Sequence, residues 1–380
     1  MSVSPKHPAR SERLREEPAE PSARLRTKTA EAPAAQVDAL RRFAERVAGA
    51  AMAAPEPMPG GGSSRRYYRI RGPAAAPWGS SVIGVVTPNI AEARAFEGFT
   101  NHLLAAGIPV PRHFGHDAKA GLYLVEDLGD HTLSDRLREW RAQGTAGAAR
   151  ARKALLEAVA LLATFQVRGA RGLDPALCFD GRELSAAAFR ADFALFLAHY
   201  VPRYAPCPAP DAEACRDAER LIERLDALPR EHLCHRDFQA RNIMWPAGRP
   251  VLLDYQGARF GPLAYDLASL LYSPDSGLTE EERAPLIEAY LTALAREGVR
   301  QAPEPFRRDF YAVVLVRRLQ ALGAYARIAA EESKPEYLER IPPALETLRA
   351  LHRSGRFALG LPHLEGWLAR ALAPPAPAPR

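Results

Sequence analysis

The sequence predicts an α+β fold of two lobes, in which a small antiparallel sheet precedes a larger, mainly helical region. Short strand-like segments occur mostly before residue 127, whereas most of the remaining chain shows apolar residues at helical spacing. Apolar residues make up 47% of the 380 residues. A chain of this length and composition can form one large or two ordinary domain cores.

The small lobe is predicted over residues 34–126. The preceding residues, 1–33, are rich in Pro, Ser, Arg and Glu and are expected to be disordered. A helix from Gln36 presents one apolar face, and we expect it to pack on the outside of the lobe. Strands are predicted at 81–86 and 121–126, the latter running into a connector between the lobes.

A helix is predicted over residues 90–106. It carries two acidic residues, Glu92 and Glu97, that could pair with a cation of the neighbouring sheet. No lysine occurs between Lys28 and Lys119, so the usual partner is absent. We therefore expect both glutamates to lie on a solvated face.

A glycine-rich segment precedes the first of the tyrosine- and arginine-rich strand residues. Glycine lets backbone N–H groups approach phosphates closely, although a surface turn can have the same composition. Strand alternation places Arg65 and Arg69 on one face and Arg66 on the other. The candidate phosphate-binding residues are Gly60, Gly61, Gly62, Ser63, Arg65 and Arg69.

The larger lobe is predicted over residues 127–372, followed by a loose Pro- and Ala-rich tail at 373–380. Apolar stripes at 155–165 and 189–200 predict two core-facing helices. Thr279 and Glu282 form a predicted capping box that opens a further helix. Helical patterns also cover 310–328 and 337–351.

The most informative stretch contains His235, Arg236 and Asp237, followed by Asn242 and then by Asp254 at the end of a short apolar strand. Asp and Asn are common in turns, but this joint spacing is typical of phosphoryl transfer. It predicts Asp237 as the catalytic base and Asn242 and Asp254 as metal ligands. Arg236 is a candidate for either a catalytic or a structural role, while His235 and Asp266 are expected to fix the loop.

The segments HRDFQARNIM, LLDYQGARFGPLAYDLASLL and GGSSRRYYRI resemble the aminoglycoside phosphotransferase superfamily. Within it, they are most similar to the anomeric N-acetylmuramate/N-acetylglucosamine kinases of cell-wall recycling. The resemblance covers roughly residues 34–353 and implies a protein-kinase-like fold. It implies ATP and Mg²⁺ as cofactors and a sugar as acceptor.

The resemblance also implies roles for individual residues. Backbone groups of the connector, from Glu126 to Leu128, are expected to bind the adenine edge. Arg241 and Gln256 match motif positions and are expected to contact the substrate, as is Asp192, where these kinases often have a glutamate. Gly257 departs from the pattern, which usually has an aspartate there, and this leaves the acceptor open.

Because the lysine of most kinase-like enzymes is missing, another cation is needed at the phosphates. We expect Arg65 or Arg69 to reach the triphosphate, since a guanidinium can contact two phosphate oxygens. The missing lysine is also the one feature that favours a non-catalytic nucleotide-binding module. A kinase acting on an aminoglycoside, choline or homoserine is a further alternative.

The composition limits the classes of binding partner that we expect. The formal net charge is +6, but the arginines that supply it are scattered, which argues against nucleic acid as a partner. The cysteines, Cys178, Cys207, Cys215 and Cys234, show no metal-site spacing and are expected to be free thiols in the cytoplasm. No membrane span or secretory signal is predicted, and the oligomeric state is left open.

Overall fold

The computed structural model describes residues 34–58, 65–332 and 334–373. These residues form two compact units, each built from two chain segments. The sheet unit comprises 34–183 and 229–301, and the helical unit comprises 184–228 and 302–373. The predicted segment 1–33, the glycine-rich residues Gly60, Gly61, Gly62 and Ser63, and most of the predicted tail lie outside the described residues.

The sheet unit contains a five-stranded antiparallel sheet with the strand order β1-β2-β3-β5-β4. Its register places Tyr68 opposite Gly84 and Gly84 opposite Leu124. The strand predicted at 81–86 is confirmed with the same bounds. The strands are β1 (Glu56–Pro57), β2 (Arg66–Arg71), β3 (Ser81–Val86), β4 (His113–Asp117) and β5 (Leu122–Glu126).

Helix α1 (Ala34–Ala48) covers one face of this sheet, as predicted for the helix from Gln36. Leu40 is fully buried in a cluster that includes Tyr68 and Ile70 of β2. Gly84 allows the close approach, because a Cβ there would meet the Leu40 side chain at 2.8 Å. Removing a side chain as buried as Leu40 typically costs about 2–5 kcal/mol of stability.

Helix α2 (Ile90–Ala105) begins at Asn89, whose side chain accepts a hydrogen bond from the Glu92 N–H. Its Phe96 ring stacks between the rings of Tyr123 and Tyr255. Thr100 Oγ1 also lies 2.7 Å from the Tyr255 hydroxyl. Because Tyr255 directly follows Asp254, α2 fixes the segment that carries this predicted metal ligand.

The rest of the sheet unit is mainly helical. Its helices are α3 (Leu133–Arg141), α4 (Gly144–Arg168), α8 (Ala264–Leu271) and α9 (Glu280–Arg296). The predicted capping box at Thr279 and Glu282 is present, and the apolar stripe of α4 is buried. Two short antiparallel pairs join β6 (His232–Cys234) to β9 (Arg259–Gly261), and β7 (Ile243–Met244) to β8 (Val251–Leu252).

The helical unit packs around aromatic side chains. The Phe196 ring contacts the rings of Phe193, Tyr200 and Trp367, and all four are buried. Gly323 permits a close helix crossing, since a Cβ there would lie 2.6 Å from the Leu195 backbone. The helices are α5 (Ala186–Leu195), α6 (Val201–Tyr204), α7 (Ala212–Asp226), α10 (Pro303–Glu331), α11 (Ile341–Arg353) and α12 (Pro362–Ala371).

The α+β class is confirmed, with the antiparallel sheet preceding a mainly helical region. The lobe boundary predicted between residues 126 and 127 stays a prediction. None of the helices in the described residues combines the length and the apolar character that crossing a membrane requires.

Candidate active site

The loop after β6 is held by a buried carboxylate. Asp266 on α8 accepts hydrogen bonds from the backbone N–H groups of His235, at 2.7 Å, and Arg236, at 2.9 Å. Arg236 has a φ of 76°, a left-handed conformation that costs a non-glycine residue roughly 1–2 kcal/mol. The Asp266 contacts offset this cost, which agrees with the structural role expected for this residue.

His235 joins this loop to the strand that leads to Asp254. Its Nε2 donates to the Leu253 carbonyl at 2.7 Å, and its Nδ1 accepts from the Asp237 N–H at 3.3 Å. The ring is 1% exposed and packs against Phe165 and Phe238. The imidazole therefore sets the position of Asp237 relative to Asp254 without being available to substrate.

The Asp237 carboxylate is surrounded by donors from its own loop. Arg241 donates to both oxygens, at 2.9 and 3.3 Å, and Asn242 Nδ2 donates to Oδ2 at 3.0 Å. Gln239 Nε2 also donates to Oδ1. The Asp237 side chain is still 36% exposed, so a fixed carboxylate remains accessible to an acceptor hydroxyl.

A second segment supports these donors. Asp275 accepts from Arg241 Nη1 at 2.7 Å, and Ser273 Oγ donates to Gln239 Oε1 at 3.0 Å. Both lie at the turn after α8, where residues 274–276 form a short 3₁₀ helix. Arg241, predicted to contact substrate, thus bridges two carboxylates.

Asp254 follows β8 in a left-handed conformation, with φ of 62°. Its Oδ1 accepts from Arg65 Nη2 and, at 2.9 Å, from Gln256 Nε2. Burial raises the pKa of Asp254, but the Arg65 guanidinium, together with the hydrogen bond from Gln256, holds that pKa below its usual value. The carboxylate is therefore ionised, as a metal ligand must be.

Arg65 contacts two acids, of which Glu92 is one of the two candidates for pairing with the missing lysine. Besides Asp254, its Nε lies 3.4 Å from Glu92 Oε1. Arg65 is 7% exposed, and the Glu92 side chain is 15% exposed. The expectation that Glu92 lies on a solvated face is wrong. Arg65 supplies the positive charge that a lysine of the sheet would otherwise provide, so Glu92 is paired and largely buried.

Glu97, the other acid expected on a solvated face, pairs with a histidine instead. Its Oε2 lies 2.7 Å from His116 Nδ1 on β4. The Glu97 side chain is 42% exposed, so it remains in part accessible to solvent. It contributes to packing α2 on the sheet and not to the Asp254 network.

Arg69 lies within β2, whereas Arg65 directly precedes it, and Arg69 binds the segment after β5. It donates to both oxygens of Asp127, at 2.8 and 3.0 Å, and pairs with Asp130 at 2.7 Å. The arginine with access to the Asp254 network is thus Arg65. Arg69 instead orders the predicted connector.

The residues predicted at the adenine edge flank Asp127. Glu126 ends β5, and its carboxylate accepts from the Arg112 N–H and side chain, both at 3.1 Å. Its own N–H donates to the Arg112 carbonyl at 2.9 Å. Leu128 is half-buried beside it. Their contacts with adenine stay a prediction.

The other two predicted substrate residues, Gln256 and Asp192, are buried and half-buried respectively. Gln256 is 4% exposed, and its amide donates to Asp254 and, at 3.1 Å, to Glu92. This side chain orients the carboxylate of Asp254, and its contact with substrate stays a prediction. Asp192 lies half-buried on α5 in the helical unit.

Arg236, predicted as catalytic, directs its guanidinium to Asp180, with Nη1 3.0 Å from Oδ2. Asp180 also accepts from Arg259 Nη2 at 2.7 Å. The sequence did not predict a role for Asp180 or Arg259. Both lie far from Arg236 along the chain, and no local sequence pattern indicates such a pairing.

The donor set fits a divalent cation coordinated jointly by protein and phosphate. Asn242 Nδ2 donates to Asp237, so its carboxamide oxygen is the atom left to face a cation, and Asp254 supplies an ionised oxygen. Within the described residues, no three His, Cys, Asp or Glu side chains converge as metal ligands. Mg²⁺ does not require this, since it is commonly held by one or two carboxylates with phosphates and water.

The chain is similar to known phosphotransferases. A model of the phosphotransferase enzyme family matches residues 54–307. The N-acetylmuramate/N-acetylglucosamine kinase of Pseudomonas aeruginosa is 28% identical over 285 residues, which cover 74% of this chain and 78% of that protein. The kinase of the same name from Neisseria meningitidis serogroup B is 32% identical over 250 residues, covering 65% and 71%.

The fold also matches solved kinase structures. An amicoumacin kinase in complex with AMP-PNP and Ca²⁺ superposes with a TM-score of 0.53 and 12% identity, over 84% of this chain and 90% of that chain. At this identity the likeness shows the fold alone, and it confirms the kinase-like fold predicted from the sequence. The family match over residues 54–307 establishes that this chain is an enzyme of the phosphotransferase enzyme family.

Proposed function

We propose that this chain is an ATP-dependent kinase that phosphorylates the anomeric 1-hydroxyl of N-acetylmuramate or N-acetylglucosamine in cytoplasmic recycling of peptidoglycan. The observation that carries the proposal is the Asp237 carboxylate, which is fixed by three neighbouring side chains yet remains exposed. The names of the relatives support the choice of acceptor.

In this proposal Asp237 is the general base. The acceptor hydroxyl gives its proton to the carboxylate while its oxygen forms a bond to the γ-phosphorus, and the bond from that phosphorus to ADP breaks. An anomeric hydroxyl is more acidic than an ordinary alcohol, because the ring oxygen withdraws electron density. A weak carboxylate base therefore suffices for this acceptor.

Asn242 and Asp254 would hold Mg²⁺, which when bound neutralises charge on the phosphate oxygens. Arg65 lies against Asp254 and is the side chain that we assign to the phosphates in place of lysine. The glycine-rich residues 60–63 and the Glu126–Leu128 backbone are assigned to the phosphates and adenine, and Asp192 to the acceptor. We further propose that the protein acts without nucleic acid or membrane partners.

The test is an ADP-release assay over N-acetylmuramate, N-acetylglucosamine, an aminoglycoside, choline and homoserine, with the product identified by phosphorus NMR. We expect the 1-phosphate of one or both sugars. Turnover of another acceptor alone would replace the sugar assignment, and no turnover of any acceptor would favour a binding module.

Two isosteric variants then separate the roles of the acids. Asp237→Asn should lower kcat roughly 10²–10⁴-fold with little change in Mg²⁺-dependent nucleotide affinity, as expected for loss of a general base. Asp254→Asn should instead weaken that affinity, and asparagine tolerates the left-handed backbone there. Calorimetry measures the affinity, and equal effects of both variants on it would contradict the division of roles.

A further inference from the structure

Tyr67 lies on the sheet face that α2 covers, opposite the face that α1 covers. Its neighbour Tyr68 belongs to the buried cluster around Leu40 of α1, so strand alternation directs Tyr67 to the other side. The register pairs the same residue of β3 with Tyr67 and with Tyr123. The Tyr123 ring stacks on the Phe96 ring of α2, with the centroids 4.6 Å apart. Since side chains at opposing positions share a face, Tyr67 points to the side of the sheet that bears α2.

On this side the Tyr67 ring lies beside the charges around Asp254. The Arg65 guanidinium carbon is 5.8 Å from the centroid of the Tyr67 ring. The same guanidinium pairs with Glu92 and with Asp254. Burial, together with both acids, raises the pKa of Tyr67 to about 12, against the opposing charge of Arg65. The hydroxyl is therefore protonated at neutral pH and is available as a hydrogen-bond donor.

This donor is unused within the described residues. No group among them accepts a hydrogen bond from the Tyr67 hydroxyl, and the residue is only partly buried. A hydroxyl beside a guanidinium and two carboxylates has no reason to stay unpaired when an acceptor arrives, and an anionic oxygen is the strongest acceptor available to it. A phosphate brought to the Arg65 guanidinium would be such an acceptor.

We propose that Tyr67 is a nucleotide-binding residue whose hydroxyl donates a hydrogen bond to the β- or γ-phosphate of ATP. The inference rests on the proposed function, in which Arg65 contacts the phosphates, and it adds a second donor to that contact. The ring supports the guanidinium through a cation–π contact, while the hydroxyl reaches the ligand. Because the donor is neutral, it strengthens phosphate binding without placing another charge beside Asp254.

The experiment removes one hydroxyl group from either face of the same strand. Tyr67→Phe keeps the ring against Arg65, and Tyr68→Phe is the matched control, since it removes the same group from the face under α1. Titration calorimetry measures the Kd of ATP and of AMP, each with Mg²⁺, for the wild type and both variants. Thermal melts check that the variants are folded.

The Kd of ATP should rise about tenfold or more in Tyr67→Phe, because a hydrogen bond to a charged group contributes about that factor. The Kd of AMP, which lacks the β- and γ-phosphates, should stay close to that of the wild type. In Tyr68→Phe both values should be unchanged. A similar loss of ATP affinity in the two variants, or an equal loss for AMP in Tyr67→Phe, would overturn the proposed contact.

A second comparison shows whether the hydroxyl acts through Arg65. In an Arg65→Lys background, the Tyr67→Phe substitution should again weaken ATP binding by a similar factor if the hydroxyl contacts the phosphates itself. No further loss in that background would mean that the hydroxyl only positions the guanidinium, and it would overturn the contact.

The measurements distinguish this inference from the proposed function. Equal ATP affinities of the wild type and Tyr67→Phe, with sugar phosphorylation intact, would overturn the inference and leave the proposed function standing. If the wild type binds ATP but phosphorylates neither sugar, the choice of acceptor fails, and the ATP affinities still decide the role of Tyr67. A wild type that binds no ATP would overturn both.

Discussion

Arg65 contacts two acids that are distant from it in sequence, Glu92 on α2 and Asp254 after β8. The sequence showed that a lysine was missing and that Arg65 and Arg69 share a strand face. The sequence could not show which of these two arginines would pair with Glu92 and Asp254, because the positions of both acids depend on how α2 and β8 pack against the sheet. The pairing of Glu92 escaped prediction for the same reason.

At Arg65, the charge and the geometry of the guanidinium can be tested separately. Arg65→Ala should lower the Tm, because removing one partner of a buried ion pair commonly costs about 3–5 kcal/mol of stability. It should also raise the KM for ATP at least about tenfold, because the proposed contact between the guanidinium and the phosphates is lost. Arg65→Lys should restore stability in part and affinity only in part, since lysine cannot contact two groups through a planar fork. Steady-state kinetics and thermal melts measure both.

The control for this series is Arg66→Ala, since Arg66 has the neighbouring position on the opposite face of β2. It should leave the KM for ATP close to that of the wild type. If Arg66→Ala has the larger effect, Arg65 does not take the place of the lysine.

At the scale of elements, the turn after α8 supports the catalytic loop. Asp275 holds Arg241, which holds Asp237. Asp275→Asn should lower kcat by about tenfold or more, with the KM for ATP nearly unchanged, because it weakens a charge-assisted hydrogen bond that positions the base.

Asp275→Glu, which keeps the charge, should recover part of the lost kcat. Glu304→Gln serves as the control, since Glu304 is an exposed acid paired with Arg307 on α10. A parallel fall of kcat and Tm in Asp275→Asn, without recovery by glutamate, would assign Asp275 to stability alone.

The bounds of helices and strands were predicted well where apolar spacing or a capping residue marks them. β3, α2 and the capping box at Thr279 were predicted from apolar spacing and caps. The helix predicted over 337–351 is instead a 3₁₀ segment, Pro335–Arg340, followed by α11. The prolines after Ile341 explain this, since proline fits the first turn of a helix but not its interior.

At the scale of the whole molecule, the half-buried His113 and the buried His232 should make stability depend on pH. Burial lowers the pKa of His113 and of His232 from the usual value of 6.5. Below that value the unfolded chain takes up protons that the folded protein does not, so stability is present above it and is lost as the pH falls toward the folded pKa values. The Tm should therefore be lower at pH 5.5 than at pH 7.5.

The carboxylates with lowered pKa values, such as Asp127 and Asp254, titrate below this range and do not contribute to it. Replacing both histidines with phenylalanine removes the titrating groups, and the difference in Tm between the two pH values should shrink. Calorimetric melts in matched ionic strength measure it. An equal or larger difference in the double variant would show that other groups cause the effect.

The proposed assignment of Arg65 to the phosphates also determines which chemical probes we expect to report on this enzyme. Nucleotide reagents that acylate an amine near the phosphates need a nucleophilic lysine, whereas a guanidinium stays protonated and does not react. In the part of the chain that the structure describes, the lysines are Lys119, Lys153 and Lys334, and the last two pair with Glu157 and Glu332. We therefore expect such reagents to leave the proposed phosphate site unlabelled, while Lys119, Lys153 and Lys334 can serve to attach the protein to a surface.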